Sequence, residues 1–179
     1  MIDGRVAFNG GVNLADEYIN TYEKYGHWKD TAVMLQGEAV LRFTRMFLHM
    51  WSLDEKEMDF DRFLNVQITP QAENGFVLPY GDCPLDRDKV GEQVYIDMLN
   101  RAQKYVHIMT PYLILDGEME NALKYAAERG VDVKIMLPGI PDKYIPFALA
   151  LTHYRSLMES GGRNLRIYAR FCPCKSFCM

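Results

Sequence analysis

Hydrophobic and polar positions alternate along this chain with two distinct periods. In "EAVLRFTRMFLHMW" the apolar residues recur at three- and four-residue steps, so Val40, Phe43, Phe47, Met50 and Trp51 are expected on one buried helix face. The earlier stretch "NLADEYINTYEKYG" has similar spacing, which predicts a helix capped by Asn13 and stopped at Gly26. "IDGRVAF" reads as a hairpin with Asp3-Gly4 at its turn, and "TAVMLQG" as a strand ending on Gly37. "GHWKDTAV" reads as a loop anchored by Trp28, with Asp30 bonding nearby backbone amides.

Beyond residue 76 the two periods interleave. "GFVLPYG" predicts a strand and loop. "KVGEQVYIDMLNRAQ" predicts a helix with Val94, Met98, Leu99 and Ala102 on one side. "YVHIMT", "VDVKIMLPG" and "LRIYA" predict strands. Between them fall the helices "DGEMENALKYAAERG", closed by Gly130, and "YIPFALALTHYRSLMESGG", with Phe147, Leu151, Tyr154 and Leu157 inward. Strand–helix alternation implies an α/β fold whose sheet is largely parallel. Ligands in such sheets sit at the carboxyl ends of strands, which marks residues 80–84, 110–112 and 138–142. Residues 53–75, with "SLDEKEMDFDR" acidic and "TPQAENG" turn-rich, read as a linker or surface loop between a first lobe, 1–52, and a second, 76–170.

Composition narrows the classes. Of 179 residues, 49% are hydrophobic and 25% charged, enough for one sizeable core. A net charge of -4 provides no general basic field, so nucleic acid is not an expected partner. No apolar run approaches the roughly 18 residues of a membrane span, and acidic and polar residues break up the first turn of the chain, so a soluble polypeptide without a signal peptide is expected. Three of the four cysteines, Cys172, Cys174 and Cys178, crowd into "CPCKSFC" without a nearby histidine; they read as a tail rather than a metal site. Cys83 stands apart.

The four histidines, His27, His49, His107 and His153, are scattered, and each reads as structural or surface. His27-Trp28-Lys29 has the form His-x-Lys. The carboxylate that a phosphodiester-cleaving motif requires five residues past the lysine is replaced by Met34, so this His-x-Lys reads as accidental. No nucleophile elbow, P-loop, dinucleotide fingerprint or zinc motif appears. "NGGVN" is a glycine-bearing turn of a kind that can present amides to phosphate.

Taken together, several segments resemble the phospholipase D superfamily, and within it the bacterial cardiolipin synthases. That family's first motif runs His-x-Lys, four residues, Asp, six residues, then Gly-Gly or Gly-Ser, x, Asn; Asp3, Gly10, Gly11 and Asn13 match its latter part in register. "GHWKDTAVMLQGEAV" resembles the Trp-x-Asp segment and the helix start that follows it. The stretch from "YIDMLNRAQ" to "PGIPDK", including Thr110-Pro111-Tyr112, resembles the entry to the family's second half. The likeness extends to about residue 168. The family's first His and Lys would precede Met1, and "RFCPCKSFCM" (170–179) departs from its second His-x-Lys motif. The resemblance therefore implies a truncated fragment: 1–52 the later part of the first half, 76–170 the early part of the second, and 171–179 a non-family tail. The implied fold is a phospholipase D-like mixed or largely parallel sheet with helices on both faces, in an incomplete copy.

The resemblance also implies a chemistry. One histidine attacks a phosphodiester phosphorus, giving a phosphatidyl-histidine, and a second protonates the leaving alcohol. In cardiolipin synthases both donor and acceptor are phosphatidylglycerol, with glycerol leaving and no metal or other cofactor used. Asp3 takes the part of the motif carboxylate that orients an imidazole. Asn13, with Gly10 and Gly11, takes the phosphate oxygens, and Thr110 and Tyr112 line the site. Lacking both histidines, the chain alone is expected to be inactive. The implied partners are phosphatidylglycerol and other anionic phospholipids, and the membrane surface at the cytoplasmic face through the parent protein. A homo-oligomer is expected to cover apolar surface that a missing half leaves open. The alternatives are another phospholipase D-type phosphodiesterase and a non-catalytic binding module on the same fold.

Overall fold

A computed structural model describes residues 1–55, 57–68, 75–83, 87–161, 165–169 and 176–178, the last two stretches as backbone only. The chain divides into two compact units. One is built from Met1–Asn9 and Ala32–Val90, the other from Gly10–Thr31 and Gly91–Met179.

In the first unit, Asp3 (φ 51°) and Gly4 (φ 66°) form the two-residue turn expected from Asp-Gly. Arg5 N–H donates to Ile2 O at 3.0 Å, and Ile2 N–H to Val6 O at 2.8 Å. A Cβ on Gly4 would stand 2.9 Å from Val66 Cγ2, so this position excludes a side chain on packing as well as on φ. β1 (Val6–Gly10) pairs with β2 (Ala32–Gln36), which ends as expected at Gly37, φ 95°. α1 (Ala39–Trp51) follows. Its buried stripe is Val40, Thr44 and Leu48, not the face through Phe47, Met50 and Trp51 expected from the apolar spacing. Thr44 is tolerated inside because its hydroxyl donates to Val40 O at 3.1 Å. A short α2 (Asp61–Leu64) lies in the 53–75 stretch. The described part of "GFVLPYG" forms no strand; Phe76, Val77 and Leu78 are exposed there.

The second unit holds the main core. α3 (Val90–Arg101) leads to β3 (Tyr105–Met109), and α4 (Gly117–Glu128) to β4 (Asp132–Leu137). α5 (Tyr144–Gly161) and β5 (Leu165–Ala169) complete the alternation, with β6 (Ser176–Cys178) last. The sheet order is β5-β4-β3-β6. β3, β4 and β5 are parallel and in register (Val106 against Val133, Val133 against Leu165), while β6 is antiparallel to β3. The tail around the cysteines thus supplies an edge strand; Cys172 and Cys174 lie outside the described residues. α4 starts on Asp116, whose carboxylate accepts from Met119 N–H at 2.8 Å, and ends at Gly130, φ 92°. It packs on β4, and α5 on β5. Strict alternation along β4 buries Val133, Ile135 and Leu137 in one core with Leu99, Val106, Leu123 and Leu157. Phe147, Tyr154 and Leu157 turn inward as expected; Leu151 is exposed, and Ala150 takes the buried position instead.

The segment from Asn13 to Gly26 also belongs to this unit and is not the expected helix. It contains one 3-10 turn, Asp16–Tyr18, capped at Ala15 rather than Asn13. Asn20 adopts φ 60°, which a continuing helix excludes, and its side chain grips the backbone of Trp28 from both sides, at 2.6 and 2.7 Å. Trp28 is buried as expected, packed edge-on against Tyr18 at 4.7 Å. Three aromatic rings, Tyr18, Tyr25 and Trp28, organise what the apolar spacing alone suggested was helical.

Candidate functional site

Parallel strands β3 and β4 run side by side, so their carboxyl ends and the loops after them open at the same edge of the sheet. Thr110 continues the ladder by donating its N–H to Met136 O at 3.1 Å. Its hydroxyl then closes a tight turn, donating to Tyr112 O at 2.8 Å and accepting from Tyr112 N–H at 3.3 Å. This turn aims the Tyr112 phenol at the loop after β4, where it donates to Asp142 Oδ2 at 2.7 Å. Tyr18 Oη donates to the same oxygen at 3.4 Å. Lys143 Nζ stands 5.6 Å from the Tyr112 ring centroid.

One carboxylate thus gathers three separate stretches of chain: 18–28, 110–112 and 142–143. Burial, reinforced by the bond to Asp142 and its negative charge, raises the Tyr112 phenol above its ordinary range. Burial first, and then the Asp142 charge, raises Tyr18 likewise. Both phenols stay protonated and act as donors throughout the neutral range. Among the described residues, the buried Trp28 Nε1 has no hydrogen-bond acceptor. The sequence offered Thr110 and Tyr112 as candidates but not Asp142 or Tyr18. Asp142 ends "PGIPD", already marked as a strand-end loop, and that position was the available signal.

The other candidate residues fall as follows. Asp3 is exposed on its hairpin turn in the first unit, beside Arg5, Asn65, Val66 and Gln67 around an open cleft of about 510 Å³. Among the described residues no histidine bonds to it. Gly10, Gly11 and Asn13 lie in the second unit with Thr110 and Tyr112. A Cβ on Gly11 would come within 3.2 Å of Asp30 Oδ1, a close approach that glycine permits. That same oxygen accepts from Thr31 N–H at 2.7 Å, the backbone bond expected of Asp30. Asn13 is exposed, and its carbonyl accepts from Ala15 N–H at 3.0 Å.

A second polar cluster, not foreseen from the sequence, joins α4 to α5. Glu120 Oε1 accepts from Lys124 Nζ and Ser156 Oγ at 2.6 Å each, and Oε2 faces His153 Nδ1 at 2.9 Å. Lys124 also reaches Ser156 Oγ at 2.7 Å. The Lys124 bond, then those of Ser156 and His153, hold the Glu120 carboxyl down to about 2. Because every member is satisfied, the cluster reads as a clamp between helices. His107 faces Asp132 at 3.4 Å on the sheet, and Asp132 also pairs with Lys134 at 2.7 Å. These two contacts agree with the structural role expected for His107 and His153. Among the described residues no group of three His, Cys, Asp or Glu is placed to hold a metal, and no helix is long and apolar enough to cross a membrane.

Comparison with known proteins adds the family context. Residues 95–177 match the model of a cardiolipin synthase, phospholipase D-like domain. Over 162 residues, 90% of this chain and 32% of the relative, the chain is 34% identical to a cardiolipin synthase of Halalkalibacterium halodurans. Against a cardiolipin synthase of Clostridium perfringens it is 35% identical over 170 residues, 91% of this chain and 35% of the relative. An uncharacterized protein of Streptococcus mutans is 58% identical over 177 residues, 99% of the chain and 38% of that protein. The chain therefore spans about a third of the length of the curated relatives it matches. Among solved structures, a phosphatidylserine synthase of Haemophilus influenzae superposes with a TM-score of 0.57 at 17% identity, over 98% of this chain and 50% of that one, a likeness of fold.

Proposed function

Because the chain belongs to the phospholipase D-like family of cardiolipin synthase, we propose that it is part of an apparatus that joins two phosphatidylglycerols into cardiolipin and glycerol. The reading rests most on the Thr110–Tyr112 turn, seated at the carboxyl end of a parallel strand and held there by the 2.7 Å bond from Tyr112 to Asp142. In this reading that turn forms one wall of the headgroup site, and Gly10, Gly11 and Asn13 contribute phosphate contacts.

The reaction needs two imidazoles. As one forms a nitrogen–phosphorus bond, the bond from phosphorus to the departing glycerol oxygen breaks, and the second imidazolium gives that oxygen its proton. The hydroxyl of the second phosphatidylglycerol then passes its proton to the same imidazole while its oxygen displaces the first histidine. The 179 residues contain no complete His-x-Lys, four residues, Asp motif, so these groups have to come from other polypeptide, and Asp3 is the carboxylate that would orient one of them. Alone, the chain is a binding module without turnover.

Two measurements on the purified chain test this reading. Incubation with phosphatidylglycerol vesicles is expected to yield neither cardiolipin nor free glycerol, and product formation would refute the inactivity. Titration with glycerophosphoglycerol, the soluble headgroup, is expected to move the amide resonances of Thr110, Tyr112 and Gly11. Unmoved resonances at saturating headgroup would remove the substrate assignment.

A further inference from the structure

The apolar residues of α1 that stay outside the core are not scattered. Phe47 is 47% exposed, Met50 73% and Trp51 53%, and with Asp54 and Glu55 they line one cleft of about 300 Å³. The Phe47 and Trp51 rings lie 5.7 Å apart at an interplanar angle of 30°, giving the cleft an aromatic wall. Its end is acidic. The chain turns as α1 finishes, with Leu53 N–H donating to Met50 O and Asp54 N–H to Trp51 O, each at 3.4 Å, and this return brings Asp54 and Glu55 into the lining of the cleft. Among the described residues neither carboxylate has a basic side chain in ion-pair range. The helix's own cations, Arg42 and Arg45, do not line the cleft.

We propose that this cleft is a docking site for an arginine side chain carried on an amphipathic segment of a partner protein. Two features of the lining select that occupant together. An apolar floor with an aromatic wall takes a methylene stem and a planar guanidinium by stacking. Two adjacent carboxylates at the end then accept the guanidinium N–H groups as charge-assisted bonds, which no purely apolar occupant provides. The same carboxylates oppose an anionic lipid surface, so the patch is not shaped for the membrane. Exposed aromatic and methionine side chains beside acids that pair with no basic group among the described residues are the composition of an interface centre awaiting an arginine anchor. The site stands in the first unit and does not depend on the phosphatidyl-transfer reading.

The chain has its own reporter. It contains two tryptophans, Trp28 buried and Trp51 exposed in the cleft, so binding here shifts Trp51 emission to the blue, whereas Trp51→Phe leaves only the Trp28 signal. The probe is a synthetic amphipathic helix of about four turns with leucines along one face and flanking arginines. We expect a saturable blue shift with this peptide. We expect at least a tenfold loss of affinity when its arginines become norleucine, and a similar loss with Asp54→Lys/Glu55→Lys, whose exposed positions beyond the helix leave the fold and its circular dichroism unchanged. Four results would each overturn the proposal: no shift, equal binding of the norleucine peptide, unchanged affinity of the charge-reversed variant, or an equal shift with phosphatidylglycerol vesicles in place of peptide.

Discussion

Strand β4 and helix α1 carry equally regular apolar patterns, yet the structure uses them differently. In β4 every second residue is buried, as a period of two demands, because α4 packs on that strand and β3 and β5 pair with it on either side. In α1 the apolar residues cover more than one face; the side that meets the rest of its unit takes Val40, Thr44 and Leu48, and Phe47, Met50 and Trp51 remain outside. The lesson is that periodicity identifies an element, while the identity of its buried face depends on how many neighbours the element has. An element enclosed by partners in its own unit buries the apolar residues of one whole face. An element with apolar residues to spare presents them to something else.

Substitutions along these two elements sharpen that contrast, beginning with the largest effect. Ile135→Ala is expected to destabilise the second unit by about 2–5 kcal/mol in urea unfolding, the cost of a cavity in a closed core. Met50→Ala should stay within about 0.5 kcal/mol; equal costs would break the comparison. Glu120→Gln tests whether polar links between helices behave like the core. Its folded carboxyl is held near 2 against an ordinary 4.5, so its contribution is fully present above about pH 4.5 and is lost as pH falls toward 2. The substitution is expected to cost on the order of 2–3 kcal/mol at pH 7 and to flatten stability between pH 4.5 and 2. A variant with the wild-type acid profile would remove Glu120 as the source of that dependence. In the first unit, Gly4→Ala should cost about 1–2 kcal/mol, since both its positive φ and the Val66 methyl oppose a Cβ. Tyr112→Phe should cost about 1 kcal/mol, less than the Gly4 change, while freeing Asp142 from its short bond. Hydrogen exchange at Thr110 and Lys143 is expected to quicken in this variant, and unchanged exchange would show that the tether does not hold the loop.

The candidate site was partly legible. Thr110 and Tyr112 follow a clear strand, and strand ends in parallel sheets are where ligands gather, so their position could be reasoned to. Asp142 and Tyr18 could not, because a hydrogen bond between residues 124 positions apart leaves no periodic trace. The Asn13–Gly26 stretch misled for a related reason. Its apolar residues sit at helical spacing, but Tyr18 and Tyr25 serve a cluster around Trp28, and Asn20 turns the backbone left-handed to close it. The Glu120 clamp was hidden in the same way, since Glu120, Lys124, His153 and Ser156 are unremarkable surface types until two helices bring them together.

By itself, the sequence determined the features governed by short-range geometry. These are the Asp3-Gly4 turn, the strand stopping at Gly37, the helix end at Gly130 and the alternation along β4. Each depends on dihedral preferences or hydrogen bonds within a few residues. The family motif order was legible too, because it is written in consecutive residues. Only the tertiary structure decided which face of α1 is buried, where the 13–26 segment folds, and that a single carboxylate at Asp142 gathers two tyrosines. Those outcomes depend on contacts between distant parts of the chain, where competing apolar faces have similar burial energies and the packing of neighbours chooses among them.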